Sequence, residues 1–159
     1  MEKTLTSLDY MALIAWIAYF KHNIVLNKTQ MQKLLFMCYG QALVIHDGTP
    51  LFEDDTPRAW PFGPVFPITY RRYNEHVPLD LSIEDKRIFA RDKRLLMMIS
   101  RTVARYCHIS ATRLSDWSHA ENGPWYKTVF AEDTTGWNRE ISNELIKKYF
   151  SNTDWARGI

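Results

Sequence analysis

Ser115, Ser118 and His119 fall close together in the stretch LSDWSHAENGPW, Leu114–Trp125, with Asp116 between them. A serine, a histidine and a carboxylate are the side chains of nucleophilic hydrolysis, in which the imidazole takes the proton of the attacking hydroxyl. The spacing argues against that chemistry. Ser118 and His119 are adjacent, and adjacent positions on a helix point in different directions. No orienting carboxylate or oxyanion site can be assigned around them. The better reading has His119 holding the following turn while Trp117 and Trp125 pack in the core. No enzymatic activity is expected.

The other reactive residues give no stronger pattern. Histidines occur at 22, 46, 76, 108 and 119, without an HExxH or GxSxG motif. Cys38 and Cys107 lie in apolar stretches and read as buried thiols in a reducing compartment. "GTP" at 48–50 lacks the lysine and the second glycine of a phosphate loop. Glu53-Asp54-Asp55 lacks the spaced oxygen ligands of a calcium loop and reads as a solvated turn. No metal and no cofactor is expected. Residues 84–105 carry seven basic side chains (Lys86, Arg87, Arg91, Lys93, Arg94, Arg101, Arg105) against three acids. A basic helix can track phosphates, but a mixed stretch of this kind is more often a solvated face. The net charge of +2 adds little, and nucleic acid is not an expected partner.

These residues must be positioned by a chain of 159 residues, enough to bury about 70% of its unfolded surface without a metal or disulfide. One domain over 1–159 is expected, mainly α, a compact helical bundle with no separate DNA-binding domain. Ser7 is the expected N-cap of a helix over 8–22 whose nearly all-round apolarity suggests a central place in the core. Its apolar run, Met11–Phe20, is too short to span a bilayer. Glu2 and Asp9 spoil a signal peptide, and a cytoplasmic location is expected. Asn27 and Gln30 form a capping-box pair for the clearest helix, with Met31, Leu34, Leu35, Cys38, Ala42 and Ile45 on one face and Gly48 as its stop. Residues 49–65 read as a small hairpin or extended excursion, with Pro57 limiting any ladder. A short helix over 67–75 follows. One helical region over about 82–108 turns Ile88, Leu95, Ile99, Val103 and Tyr106 inward. Ser110 caps a helix over 111–119, Pro124 starts another to about 131, and Ser142 caps a last one to Phe150.

RAWPFGPVFPITYRRYN, Arg58–Asn74, holds three prolines, a glycine and five aromatics in seventeen residues. It reads first as a structural corner. Gly63 supplies a backbone angle that other residues resist, Pro64 and Pro67 fix the turn, and Tyr70 returns to the core. Arg71 and Arg72 are the residues of this stretch expected to face a partner.

Three stretches in order resemble one family. KTQMQKLLFMCYGQAL followed by GTPLF, then RAWPFGPVFPITYRRY, then LSDWSHAENGPW together look like the SocA-like (GepA-like) antitoxin domain, the Panacea domain; the closing ISNELIKKYF also fits. Met31, Phe62 and Ser118 are mild departures that keep size and polarity. The motif residues are Gln32, Lys33, Gly63, Pro64, Leu114, Ser115, Pro124 and Trp125. The resemblance implies a non-catalytic antitoxin, from a toxin–antitoxin operon or a phage or prophage, that neutralises a cognate toxin by binding it. It implies for some members a host protease to which the toxin is delivered. Trp60, Phe62, Arg71, Arg72, Trp117 and His119 are the candidate partner contacts. The alternatives are a phage counter-defence protein binding a host factor and a nucleic-acid regulator using residues 84–105. The sequence does not fix an oligomeric state.

Overall fold

The structure, a computed structural model, describes residues 3–77, 79–131 and 136–159. It is mainly helical, with a single two-stranded sheet among the described residues. The chain runs α1 (Ser7–His22), α2 (Lys28–Ile45), β1 (Arg58–Trp60), β2 (Gly63–Val65), α3 (Pro67–Arg72), α4 (Ile83–Phe89), α5 (Lys93–Tyr106), α6 (Ala111–Ser118), α7 (Pro124–Val129) and α8 (Asn143–Phe150).

The central element is α2. Met31, Leu34, Leu35, Met37, Cys38 and Leu43 are fully enclosed by α1, α5, α6, α8 and the hairpin. Its start is held as the sequence suggests: Asn27 Oδ1 accepts from Gln30 N–H at 2.8 Å and Gln30 Oε1 from Asn27 N–H at 3.0 Å. At its end Gly48 adopts φ 100° and donates its N–H to the Leu43 carbonyl at 2.7 Å. The expectation that α1 is central does not hold, because Tyr19 and Phe20 face solvent.

Other boundaries shift for identifiable reasons. Thr6, not Ser7, precedes α1, and Asp9 Oδ2 accepts from the Thr6 N–H and hydroxyl. Ser7 is already helical and buried; its N–H and hydroxyl donate to Asp54 at 2.8 and 2.7 Å. The acidic triplet is accordingly no solvated turn. Asp55 is buried and accepts from the Thr56, Ile68 and Thr69 N–H groups, which caps α3. Burial pushes its carboxyl pKa up, opposed by those backbone hydrogen bonds. The helical region over 82–108 is two helices. Asp92 ends the continuity by accepting from Leu95 N–H at 3.0 Å, and it also meets His46 Nε2 at 3.0 Å. Ile88 and Tyr106 are only partly buried, whereas Leu95, Ile99 and Val103 lie inside. The helix after Pro67 stops at Arg72, and Tyr73, not Tyr70, enters the core, donating its hydroxyl to the Leu26 carbonyl at 2.6 Å.

The excursion is an antiparallel hairpin with Arg58 opposite Val65 and Trp60 opposite Gly63. Residues 138–141 cover the other edge of β1, through Ala59 N–H to Arg139 O and Asn138 N–H to Ala59 O. No described helix is long and apolar enough to cross a membrane.

Candidate partner-binding site

The three motif stretches meet at the hairpin, and most of their polar side chains hold its backbone. Trp125 Nε1 donates to the Trp60 carbonyl at 2.8 Å, Ser115 Oγ to the Phe62 carbonyl at 2.9 Å, and Lys33 Nζ to the Pro64 carbonyl at 3.2 Å. The His119 ring lies against the Pro61 backbone. Gln32 secures the exit of the strand: its Oε1 accepts from Phe66 N–H at 2.8 Å and its Nε2 donates to Thr69 Oγ1 at 2.9 Å. Carbonyls that a two-residue turn leaves without ladder partners are thereby satisfied by helix side chains.

The geometry requires glycine at 63. Its φ is 114°, and a Cβ there would run into the Ser118 hydroxyl and the Lys33 side chain. Lys33 is 1% exposed, and burial pulls its amine pKa down from 10.5 to about 7. His119 stacks on Trp125 with ring centroids 4.0 Å apart. Burial lowers its pKa, and the nearby Lys33 charge lowers it further against the opposing pull of Asp116. Its Nε2 is buried without a hydrogen-bond partner among the described residues.

The residues considered for hydrolysis are engaged elsewhere. Ser115 points at the Phe62 carbonyl, and Ser118 Oγ donates to the Ser115 carbonyl at 2.7 Å. Neither hydroxyl donates to His119.

The candidate partner contacts separate by exposure. Phe62, at the hairpin tip, is 72% exposed, and Arg71 and Arg72 lie exposed on the last turn of α3. Trp60 is half-buried, donating Nε1 to Asn138 Oδ1 at 3.0 Å and packing edge-on against Tyr70. Trp117 is enclosed and donates to the Trp155 carbonyl at 2.7 Å, so in this fold it offers a partner no surface. Leu114, Pro124 and Trp125 are buried structural residues. Two exposed aromatics escape sequence reasoning: Phe130 and Trp137, whose rings both contact Trp125 beside the hairpin. The signal for Trp137 is a lone aromatic within the polar run EDTTGWNRE.

The fold also joins residues that look unrelated in sequence. His22, Cys107 and His108 bring their ligand atoms within 4.8 Å of one another. Burial pushes the Cys107 thiol pKa up, which favours the protonated form over a metal-binding thiolate.

Comparison with known proteins agrees with the motif geometry. The family model for the SocA-like antitoxin, Panacea domain, matches residues 31–126, from α2 into α7. The chain is 29% identical over 140 residues to Antitoxin SocA of Caulobacter vibrioides (strain NA1000 / CB15N), covering 80% of this chain and 73% of that protein. No solved structure matches. The matched interval contains the hairpin and nearly every side chain that holds it, and the chain belongs to the SocA-like Panacea-domain antitoxin family.

Proposed function

We propose that the protein neutralises a cognate toxin without catalysis, by binding it directly through the hairpin face. The observation that carries this reading is the hold on one short turn. Lys33, Ser115 and Trp125, from three helices, take backbone carbonyls of residues 60–64 while the Phe62 side chain stays exposed at the tip. A rigid turn loses little conformational freedom on binding, and an exposed aromatic on such a turn is an efficient anchor. Phe130 and Trp137, whose rings meet Trp125, are further exposed apolar groups, and Arg71 and Arg72 are exposed charges on the helix that follows the hairpin. The engaged hydroxyls of Ser115 and Ser118 support a non-catalytic role. The reading takes residues 1–159 as one domain.

Co-expression with the product of the adjacent gene tests this. A toxic neighbour should be silenced and should co-purify, and Phe62→Ala should weaken the complex at least ~10-fold while shifting folding stability by no more than ~0.5 kcal/mol. Absence of any complex with a neighbour that kills when expressed alone would refute direct binding. A toxin half-life that shortens only in the presence of this protein and a host protease would add an adaptor role.

A further inference from the structure

A second surface is formed by α1, α4 and α5. α1 is apolar on nearly every side, and a helix of that kind is ordinarily enclosed. Here α2, α3 and α5 cover only part of it. Tyr19 and Phe20 are 50% and 55% exposed, and Trp16, Phe20 and Tyr19 form a continuous strip with neighbouring ring centroids 5.3 and 5.0 Å apart.

Beside this strip, between α1 and α5, lies an open trough of about 480 Å³. Leu13 and Ile17 of α1, Phe89 of α4 and Leu96 of α5 give it an apolar floor. Along α5, Ser100 and Ala104 follow Leu96 at one-turn intervals, so that wall falls to small side chains and leaves room for another backbone. The α1 wall, Leu13 to Lys21, and the α5 wall, Leu96 to Ala104, each rise ~12 Å. Both lengths match about two turns of a docked helix, whose axis needs only ~8–10 Å from its neighbours.

The rim is cationic. Lys21 and Lys86 place their ammonium groups 5.7 and 5.0 Å from the Trp16 ring centroid, and His22 stands beside them. Among the described residues neither lysine forms an ion pair, and no carboxylate lines the trough.

We infer that this trough receives an amphipathic helix of the bound toxin, apolar on its inner face and edged with acidic residues. Apolar burial supplies the affinity, and the lysines on Trp16 fix orientation and charge preference. The inference rests on the direct-binding reading above and adds the chemistry of a second contact.

Two measurements test it. First, an 18-residue synthetic helix with a leucine face and glutamate flanks is titrated into the full chain, against a counterpart with lysine flanks. The glutamate peptide should bind and quench tryptophan fluorescence; the lysine peptide should not. Binding should fall at least ~10-fold in Lys21→Glu/Lys86→Glu, which changes only exposed side chains, and in Ala104→Trp, which fills the trough. Equal binding of the two peptides overturns the inference. Second, the toxin from the neighbouring gene is titrated into the same variants and into Phe62→Ala. A loss of at least ~10-fold in the trough variants supports the inference. Dependence on Phe62 with no effect of the trough variants overturns it and leaves direct binding standing. No toxin complex with the unaltered chain refutes direct binding itself. Self-association that disappears in Ala104→Trp assigns the trough to a second copy and overturns the toxin as its occupant.

Discussion

Lys33→Met should remove a pH dependence that the fold builds into its own stability. The Lys33 amine titrates near 10.5 when the chain is unfolded and at about 7 when buried under the hairpin. Between those values the unfolded chain binds a proton that the folded chain does not, so stability must rise with pH through this interval. Below it both states are protonated, and the full cost of burying the ammonium is present. Each pH unit well inside the interval adds ~1.4 kcal/mol. From pH 7 to 8.5 the gain is about 1.6 kcal/mol, because the folded amine is still half protonated at the start. Tyr10, Tyr39 and Tyr73, pushed up to about 12 by burial, titrate above this window, and His119, lowered from 6.5, titrates below it. Methionine keeps most of the volume and removes the titration. It also leaves the Pro64 carbonyl without its donor, a cost of ~1–3 kcal/mol that does not vary with pH. The slope therefore carries the test. Urea denaturation followed by circular dichroism at pH 7.0, 7.5, 8.0 and 8.5 should show the unaltered chain gaining on Lys33→Met by the amount above, or ~0.8 M in midpoint at a typical urea dependence. Parallel curves would refute a depressed amine, and a wild-type chain that loses ground as pH rises would reverse the sign of the argument.

Three further substitutions probe the hold on the hairpin and on α1. Gly63→Ala combines a φ of 114° with a clash against Ser118 and Lys33 and should cost more than ~2 kcal/mol in chemical denaturation; a neutral effect would contradict the close approach. Trp125→Phe deletes the donor to the Trp60 carbonyl and should cost ~1–2 kcal/mol, with faster amide exchange at residues 58–65 than in α2. Asp54→Ala strips both acceptors from Ser7 and should lower stability by ~1–3 kcal/mol; a solvated acidic turn would instead tolerate it within ~0.5 kcal/mol, which thermal melts can distinguish.

What the sequence discloses follows from where the interaction partners lie. α2 reads cleanly because its capping pair, Asn27 and Gln30, and its apolar repeat are both local. The first residue of α1 does not, since Ser7 is by type a better cap than the Thr6 that precedes the helix. The acceptor that fixes Ser7 inside the helix, Asp54, arrives from the far side of the chain. The break between α4 and α5 rests on Asp92 taking the Leu95 N–H, while the charges around it fit one continuous helix equally well. The centrality expected of α1 failed because all-round apolarity marks a helix that needs cover on every side, not one that receives it within its own chain.

The candidate site illustrates the same limit more sharply. Gln32, Lys33, Ser115, His119 and Trp125 are recognisable as motif residues, yet their partners are chiefly backbone atoms of residues 60–66, which every sequence possesses and none displays. That arrangement has a functional consequence. A turn gripped by its carbonyls places almost no demand on the side chain at its tip, and Phe62 is held through its carbonyl while its ring stays exposed. The fold fixes where the tip stands, and residue 62 decides what it can meet. Under the proposed binding through the hairpin face, partner choice would change at the tip while Lys33, Gly63 and Trp125 keep the corner that presents it.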